Sequence, residues 1–508
     1  MINGKLQDKN GERSFHYKYF SAVAWATVGS WSQFIISAIA LVLMARELGP
    51  DLFGINAAAW IVIGVGQVIL SGSLSQSLIQ RPKIESGHFD AIFWTGFVLS
   101  ALISYLVLIY SDNIENLIKV SKVSDVLSIS IFLLPIFAAH SVSEAILLRD
   151  INFKSINIIN SIGLAIGNFA GLLLAYNGAG VWSLVSIPLI SNIVRLFSVS
   201  YLTRWTPGIA CRQRHFRDLL SFNVNILLNK IIVYIDQNIP RIVIAITLGE
   251  QSLGLYALGI RIFETVSSAF LNPIVSAVLP GFSRAKEKGE NIIRLYTKTT
   301  KMMMIGGAPA YFGLIGVAPI SIPLIFGSQW EPATAAIQAL AALGIMRTLT
   351  AIKGEMLRAF GCPEQPLFVA FVSLILCIIF VPPTASFGVA AVCIALVART
   401  LAVWPLSAWY LQRTCKIGIR YQILPAIPFT ISALLMSILV WAGGVVLESE
   451  LSSISIFLIQ IFIGIFIYFL LIIIQLTDLR SLFMLLLRSF IKLDFKNIFY
   501  LLKTFTVQ

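Results

Sequence analysis

The chain has 508 residues, of which 57% are hydrophobic and 12% charged, with a net charge of +13. A soluble domain carries about 25% charged residues, so a soluble fold of this length is excluded. The positive excess does not point to nucleic acid, because the cations are scattered over separate short segments between apolar stretches, where they would lie beside an anionic leaflet.

Fourteen apolar segments follow one another at 21–45, 55–79, 91–110, 126–148, 156–176, 181–203, 222–247, 255–282, 298–326, 333–357, 366–384, 388–412, 421–443 and 454–477. Each is near the roughly 20 residues that a helix needs to cross a bilayer, so the chain reads as an all-α integral membrane protein with about fourteen crossings. Residues 1–20 form a cytoplasmic N-terminus with Lys5, Lys9, Arg13 and Lys18. The first segment is longer than the 7–15 residues of a cleaved signal core and reads as a retained helix. Most of the 37 lysines and arginines lie in the termini and in the loops after even-numbered segments. The positive-inside rule then places both termini in the cytoplasm. None of Cys211, Cys362, Cys377, Cys393 and Cys415 falls in an expected outward loop, so disulfides are not indicated.

Glycine and proline punctuate the segments at Leu48-Gly49-Pro50-Asp51, Asn177-Gly178, Leu248-Gly249 and Pro382-Pro383. In the fifth segment Gly163, Gly167 and Gly171 recur at four-residue spacing and make a smooth groove for close packing. The chain also repeats itself. Leu48-Gly49 and Gly54-Ile55 match Leu248-Gly249 and Gly254-Leu255, and Leu148-Arg149 matches Leu357-Arg358 more weakly. The repeat predicts an N-terminal six-helix lobe at 21–203, a basic amphipathic linker at 204–221 on the inner surface, and a C-terminal six-helix lobe at 222–412. Two extra helices at 421–477 and a basic interfacial tail at 478–508 complete the chain. The lobes share one orientation, so they are related by an axis along the membrane normal, with substrate expected between them.

Intramembrane polar residues mark function by default. In the seventh segment Asn223, Lys230, Tyr234, Gln237 and Arg241 fall on one helical stripe, with Asn225, Asn229 and Asp236 opposite. Arg261 and Glu264 form an i, i+3 pair in the eighth segment. Arg347 and Arg399 have no acid within one turn and either face a cavity or pair with an acid such as Glu355 on another helix. Arg195 and Lys230 sit near the inner end and Arg46 near the outer end, where long side chains snorkel. His140 and Glu144 at i, i+4 read either as a proton relay or as a packing contact, and Asp236 either as an ion-coupling group or as a tie to a neighbouring helix.

Ala45-Arg46-Glu47-Leu48-Gly49-Pro50-Asp51-Leu52-Phe53-Gly54, its partner at 248–256, and Leu279-Pro280-Gly281-Phe282-Ser283-Arg284 resemble the polysaccharide flippases of the multidrug/oligosaccharidyl-lipid/polysaccharide exporter superfamily. Arg149-Asp150-Ile151-Asn152-Phe153-Lys154 and Gly327-Ser328-Gln329-Trp330-Glu331-Pro332-Ala333 resemble its colanic acid and succinoglycan subgroup. The resemblance covers about residues 18–420 and implies a V-shaped pair of pseudo-symmetric bundles. It further implies transport of undecaprenyl-diphosphate-linked oligosaccharide repeat units, by alternating access, across the bacterial inner membrane for exopolysaccharide, capsule or O-antigen assembly. Membrane lipids, a polysaccharide polymerase and a chain-length regulator are the partners it suggests. Arginine suits a diphosphate because its fork donates paired hydrogen bonds and stays charged when desolvated. Arg241, Arg261, Arg347, Arg399 and Lys230 are therefore the expected cavity cations, with Tyr234, Gln237, Asn223 and Glu264 as polar companions. Arg261 ahead of Leu279-Pro280 also resembles the cavity arginine of lipid II flippases. No metal or other cofactor is implied, and coupling to sodium or protons stays open. Two other readings are a small-molecule or drug antiporter of the same superfamily and a membrane enzyme. The enzyme reading lacks a P-loop, a metal-ligand cluster or a sizeable loop.

Overall fold

A computed structural model describes residues 29, 31–70, 85–150, 152–208, 213–447 and 451–475. The expected N-terminus at 1–20 and tail at 478–508, together with Cys211 and Arg212 of the linker, lie outside the described residues. All regular structure described is helical, and twelve of the described helices are long and apolar enough to cross a membrane. Large side chains such as Phe197, Phe387, Phe462 and Ile474 stand exposed on the bundle, as a lipid-facing surface requires. The chain is a multi-pass membrane protein.

Helices begin where the sequence supplies a start signal. α1 (residues 31–47) ends at Leu48-Gly49, and α2 (Pro50–Leu70) opens with proline and carries Asp51 in its first turn, where a missing N–H costs nothing and an acid meets the positive helix end. α3 (Ser86–Ile109) is followed by α4 (Ser111–Ile118), α5 (Val123–Ser130) and α6 (Leu133–Arg149). α4 fills an expected loop. Its Asp112, Asn113 and Glu115 mask it from a hydropathy reading, while Ile114 and Ile118 give it an inner face. α7 (Phe153–Tyr176) is capped by Asn152, whose Oδ1 accepts from the Ser155 amide at 3.2 Å, and α8 (Val181–Thr203) follows the Asn177-Gly178 turn.

The seventh and eighth expected segments are the two arms of α9 (Gln213–Phe270), which meet at Gly249 with φ 79° and ψ −175°, a conformation that only glycine adopts readily. The backbone of linker residues 213–221 belongs to the first arm. The second arm stops at Phe270, and α10 (Asn272–Glu287) takes over with Pro273 in its first turn, splitting the single segment expected at 255–282. α11 (Ile292–Phe326), α12 (Thr334–Ala359), α13 (Glu364–Thr384), α14 (Val389–Cys415), α15 (Ile427–Leu447) and α16 (Ser453–Gln475) complete the bundle. Pro382-Pro383 does not mark a turn as expected. Both prolines lie in the last turn of α13, and the chain reverses at Gly388, φ 96°.

The glycine groove of α7 is filled by α8, since a methyl on Gly163 or Gly171 would come within 2.9 Å of the Ser191 or Ser183 carbonyl. α15 and α16 pack on α11 through Met304, Ala308, Phe429, Ala433 and Met436, and Tyr468 donates to the Ile305 carbonyl at 3.1 Å.

The two copies of the repeat meet each other. Gly54 of α2 abuts the Glu250 carbonyl, and Gly254 of α9 abuts the Pro50 carbonyl, each so closely that a Cβ on either glycine would overlap backbone. Around this crossing Glu250 accepts from the amide (3.1 Å) and hydroxyl (2.7 Å) of Ser121. Trp330 Nε1 donates to the Ala45 carbonyl at 2.7 Å and its ring meets Phe53 edge-on. Arg46 donates to the carbonyls of Leu324 and Ile325 at the end of α11, where a cation answers the helix's negative end. These contacts seal one end of the space between the halves.

Candidate functional site

Beneath the seal lies a cavity of about 610 Å³ walled by α1, α2, α7, α8 and both arms of α9. On α2 its lining runs from Phe53 to Gln67, a depth of about 21 Å at 1.5 Å per residue. Arg241 and Arg261, on opposite arms of α9, both line it, together with Glu264 and, from α8, Arg195. Arg241 Nη1 donates to Asn238 Oδ1 at 3.0 Å, a neutral partner that leaves the charge unspent. Arg261 and Glu264 form no ion pair with each other, and among the described residues neither Arg261 nor Arg241 has an ion-pair partner. A second space of about 620 Å³ continues the cavity between α1 and the end of α9, sharing Arg261 and Glu264 and adding Trp31, Phe34, Thr265 and Ser268.

A third cavity, of about 290 Å³, lies within the C-terminal half and is lined by Asp236, Gln237, Arg347 and Arg399, with Arg241 and Glu264 shared between it and the central one. Here Arg399 Nη1 meets Asp236 Oδ1 at 2.7 Å, with side chains 14% and 16% exposed. Asp236 Oδ2 also accepts from Ser373 of α13 at 3.5 Å. Glu355, the example offered of an acid that Arg347 or Arg399 could pair with, is taken by Arg358 one turn along its own helix. The Arg347 guanidinium instead lies over the Phe263 ring, 5.3 Å from its centroid. Asp236 and Arg399 thus link α9 to α14.

Tyr234 faces the central cavity, but its hydroxyl donates to the carbonyls of Ile61 (2.8 Å) and Trp60 (3.1 Å). Gly64 leaves room for the ring, since a Cβ there would stand 2.8 Å from it. Lys230 lines none of these three cavities, and the side chains of Asn223, Asn225 and Asn229 lie outside the described ones. His140 is fully buried, with Nδ1 3.3 Å from Glu144 Oε2 and Nε2 3.2 Å from Asn192 Oδ1. Arg195 lies within electrostatic reach of Glu144.

Sequence reasoning passed over several residues here. Asn238 holds Arg241, and Lys353 is 3% exposed with Nζ 4.6 Å from the Trp404 ring centroid. The N-terminal wall of the central cavity carries Asn56, Gln67, Asn160 and Asn168. The signal for the amides was their spacing, with Asn160 and Asn168 two turns apart and Asn56, Trp60 and Gln67 on one stripe.

Residues 43–335, more than half of the chain, match a family model described as polysaccharide biosynthesis protein. The chain belongs to that family. A similar protein is the succinoglycan biosynthesis transport protein ExoT of Rhizobium meliloti (strain 1021), 24% identical over 311 residues that cover 61% of this chain and 62% of that protein. The match therefore spans less than two thirds of that relative's length. Among solved structures, the lipid II flippase MurJ in an inward closed conformation superposes with a TM-score of 0.73 at 16% identity, over 89% of this chain and 99% of that one. An inward-facing multidrug resistance MATE transporter of the MOP superfamily gives 0.61 at 13% identity, over 77% and 98%. At these identities the likeness shows the fold alone, a helical bundle of the kind seen in those two transporters.

Proposed function

We propose that this polysaccharide biosynthesis protein is a flippase that carries undecaprenyl-diphosphate-linked oligosaccharide from the cytoplasmic to the outer leaflet of the bacterial inner membrane. The observation that carries the reading is the placement of Arg241 and Arg261 in one cavity at bilayer depth, neither neutralised by an acid among the described residues. Two guanidinium groups that face one cavity without an acid partner leave their donors free for an anion, and a diphosphate offers the oxygens their forks fit. The cleft between α1 and α9, with Trp31 and Phe34 beside Arg261, suits a lipid whose head is polar and whose tail stays in the bilayer. The relative named for succinoglycan transport supports the same direction.

In this reading the chain crosses fourteen times with both termini inside. α1 and the two arms of α9 supply the crossings beyond those counted by length and apolarity. The Gly54·Gly254 seal faces outward, and the structure represents the state that loads from the cytoplasm. Transport moves the intact lipid and makes or breaks no bond in it. Moving two negative charges out of a negative interior is favoured by about 2.3 kcal/mol per charge per 100 mV, so the potential has the sign to drive export. Neutralisation of Asp236 by Arg399 supports a structural role for that carboxylate.

The test is deletion of the gene followed by extraction of undecaprenyl-linked intermediates. Complete repeat units should accumulate on the cytoplasmic side with loss of surface polysaccharide. Reintroducing Arg241→Ala/Arg261→Ala should restore less than a tenth of wild-type export. Full export by that variant, or resistance to cationic dyes conferred by the wild type, would sink the reading.

A further inference from the structure

The two halves of the central cavity differ in chemistry. The C-terminal wall supplies Arg241, Arg261 and Glu264, whereas on the N-terminal wall, Arg195 of α8 apart, α2 and α7 present neutral amides and a tryptophan. Asn56, Trp60 and Gln67 share one stripe of α2, and Asn160 and Asn168 share one of α7. Asn168 spends its Nδ2 on the Leu164 carbonyl at 2.7 Å, which leaves Oδ1 to the cavity. Among the described residues Asn56, Gln67 and Asn160 make no side-chain hydrogen bond at all. These amides are partly exposed on the cavity surface, so their donors and acceptors are free to meet a polar guest.

The kind of guest follows from what an amide offers. Each presents two donors and an acceptor. A phosphate can use only the donors and is repelled by the carbonyl oxygen, whereas a sugar hydroxyl donates and accepts and matches both ends. The Trp60 ring adds a flat apolar face of the sort against which the C–H face of a pyranose packs. We infer that the amide wall of α2 and α7 is the glycan subsite, with the diphosphate held across the cavity by Arg241 and Arg261. This rests on the flippase reading, and assigns the substrate's orientation: sugars toward the N-terminal half, diphosphate toward the C-terminal half.

Binding to the purified full-length protein in lipid nanodiscs tests it with two probes. One is the lipid-linked glycan extracted from the protein's own host lacking the gene. The other is undecaprenyl diphosphate, which lacks the sugars. Wild type should bind the glycan lipid more tightly than undecaprenyl diphosphate. Asn56→Leu/Asn160→Leu should lose about tenfold in glycan-lipid affinity and nothing for undecaprenyl diphosphate, the second measurement also showing that the variant is folded. The single variants Asn56→Ala and Asn160→Ala should each lose part of the same preference. Arg241→Ala/Arg261→Ala should weaken both probes alike. The subsite is refuted if the amide variants keep the wild-type preference, as they would if the wall merely held water, or if wild type shows no preference. Failure of wild type to bind either probe would overturn the flippase reading itself, and this assignment with it.

Discussion

Asp236 and Arg399 come from helices 163 positions apart in sequence and meet with 16% and 14% of their side chains exposed. Removing one partner of such a pair strands a charge at a cost of about 3–5 kcal/mol, whereas replacing both by apolar residues of similar volume is often neutral. Asp236→Leu or Arg399→Met alone should therefore lower the melting temperature of the purified protein sharply, and the double variant should recover most of the loss. If the carboxylate were an ion-coupling group instead, the double variant would melt normally but transport nothing. Glu115, in the α4–α5 region, makes a second residue-scale case. Burial pushes its carboxyl up, but hydrogen bonds from Ser124 N (2.8 Å), Ser124 Oγ (2.7 Å) and Lys122 N (3.3 Å) outweigh this and hold it below its ordinary value. A carboxyl depressed on folding contributes stability that is fully present above its unfolded value, about 4.3, and is lost as pH falls through the lower folded value. Acidification through that window should loosen the segment that presents Ser121 to Glu250. The change should be visible as faster proteolysis there, and Glu115→Gln should show it already at neutral pH.

At the scale of elements, the crossing of α2 and α9 depends on two hydrogens in place of two methyls. Gly54→Ala and Gly254→Ala each place a Cβ against a backbone carbonyl, which a side-chain shift cannot relieve, so each should destabilise the sealed state by about 1–3 kcal/mol. The expected readout is increased labelling of a cysteine placed at Asn56 by a membrane-impermeant thiol reagent added from outside. Equal labelling in variant and parent would show that the crossing does not set the closed state. The same elements show what a reader of sequence can recover. The repeat, the Gly49-Pro50 and Asn177-Gly178 turns and the glycine groove of α7 were legible because local conformation or steric size imposes them. Helical spacing also put Arg241 and Asp236 on different faces of one helix; in the fold both line the smaller C-terminal cavity, and only Arg241 also lines the central one. The partner of Asp236 was not legible, because any of several arginines within the apolar segments could satisfy it and only the packing of α13 and α14 on α9 selects Arg399. The amides of α2 and α7 were overlooked for a different reason. A neutral side chain leaves no mark in a charge or hydropathy profile, and only the cavity shows that these lack partners.

For the whole molecule, the proposed export requires that the seal part. Ser121 and Glu250 come from opposite halves and touch, so cysteines at these two positions, bridged by a short bifunctional thiol reagent, should hold the halves together. Export should stop on bridging and return when a cleavable bridge is cut. Continued export with the bridge intact would show that transport does not pass through this end. The last two helices, α15 and α16, pack on α11 and line none of the three cavities.

The crossing of Gly54 with Gly254 has the form of a two-fold dimer interface written into a single chain. Each half offers a carbonyl and receives one in the same place, so the contact is isologous in the sense used for symmetric oligomers. A disturbance at one glycine is therefore felt in both contacts: displacing the Glu250 carbonyl from Gly54 also carries the following turn, and Gly254 with it, away from Pro50. Such an interface has no half-made form to rest in. The two contacts are lost or kept together, which makes the end of the cavity a switch with two positions rather than an aperture of graded width.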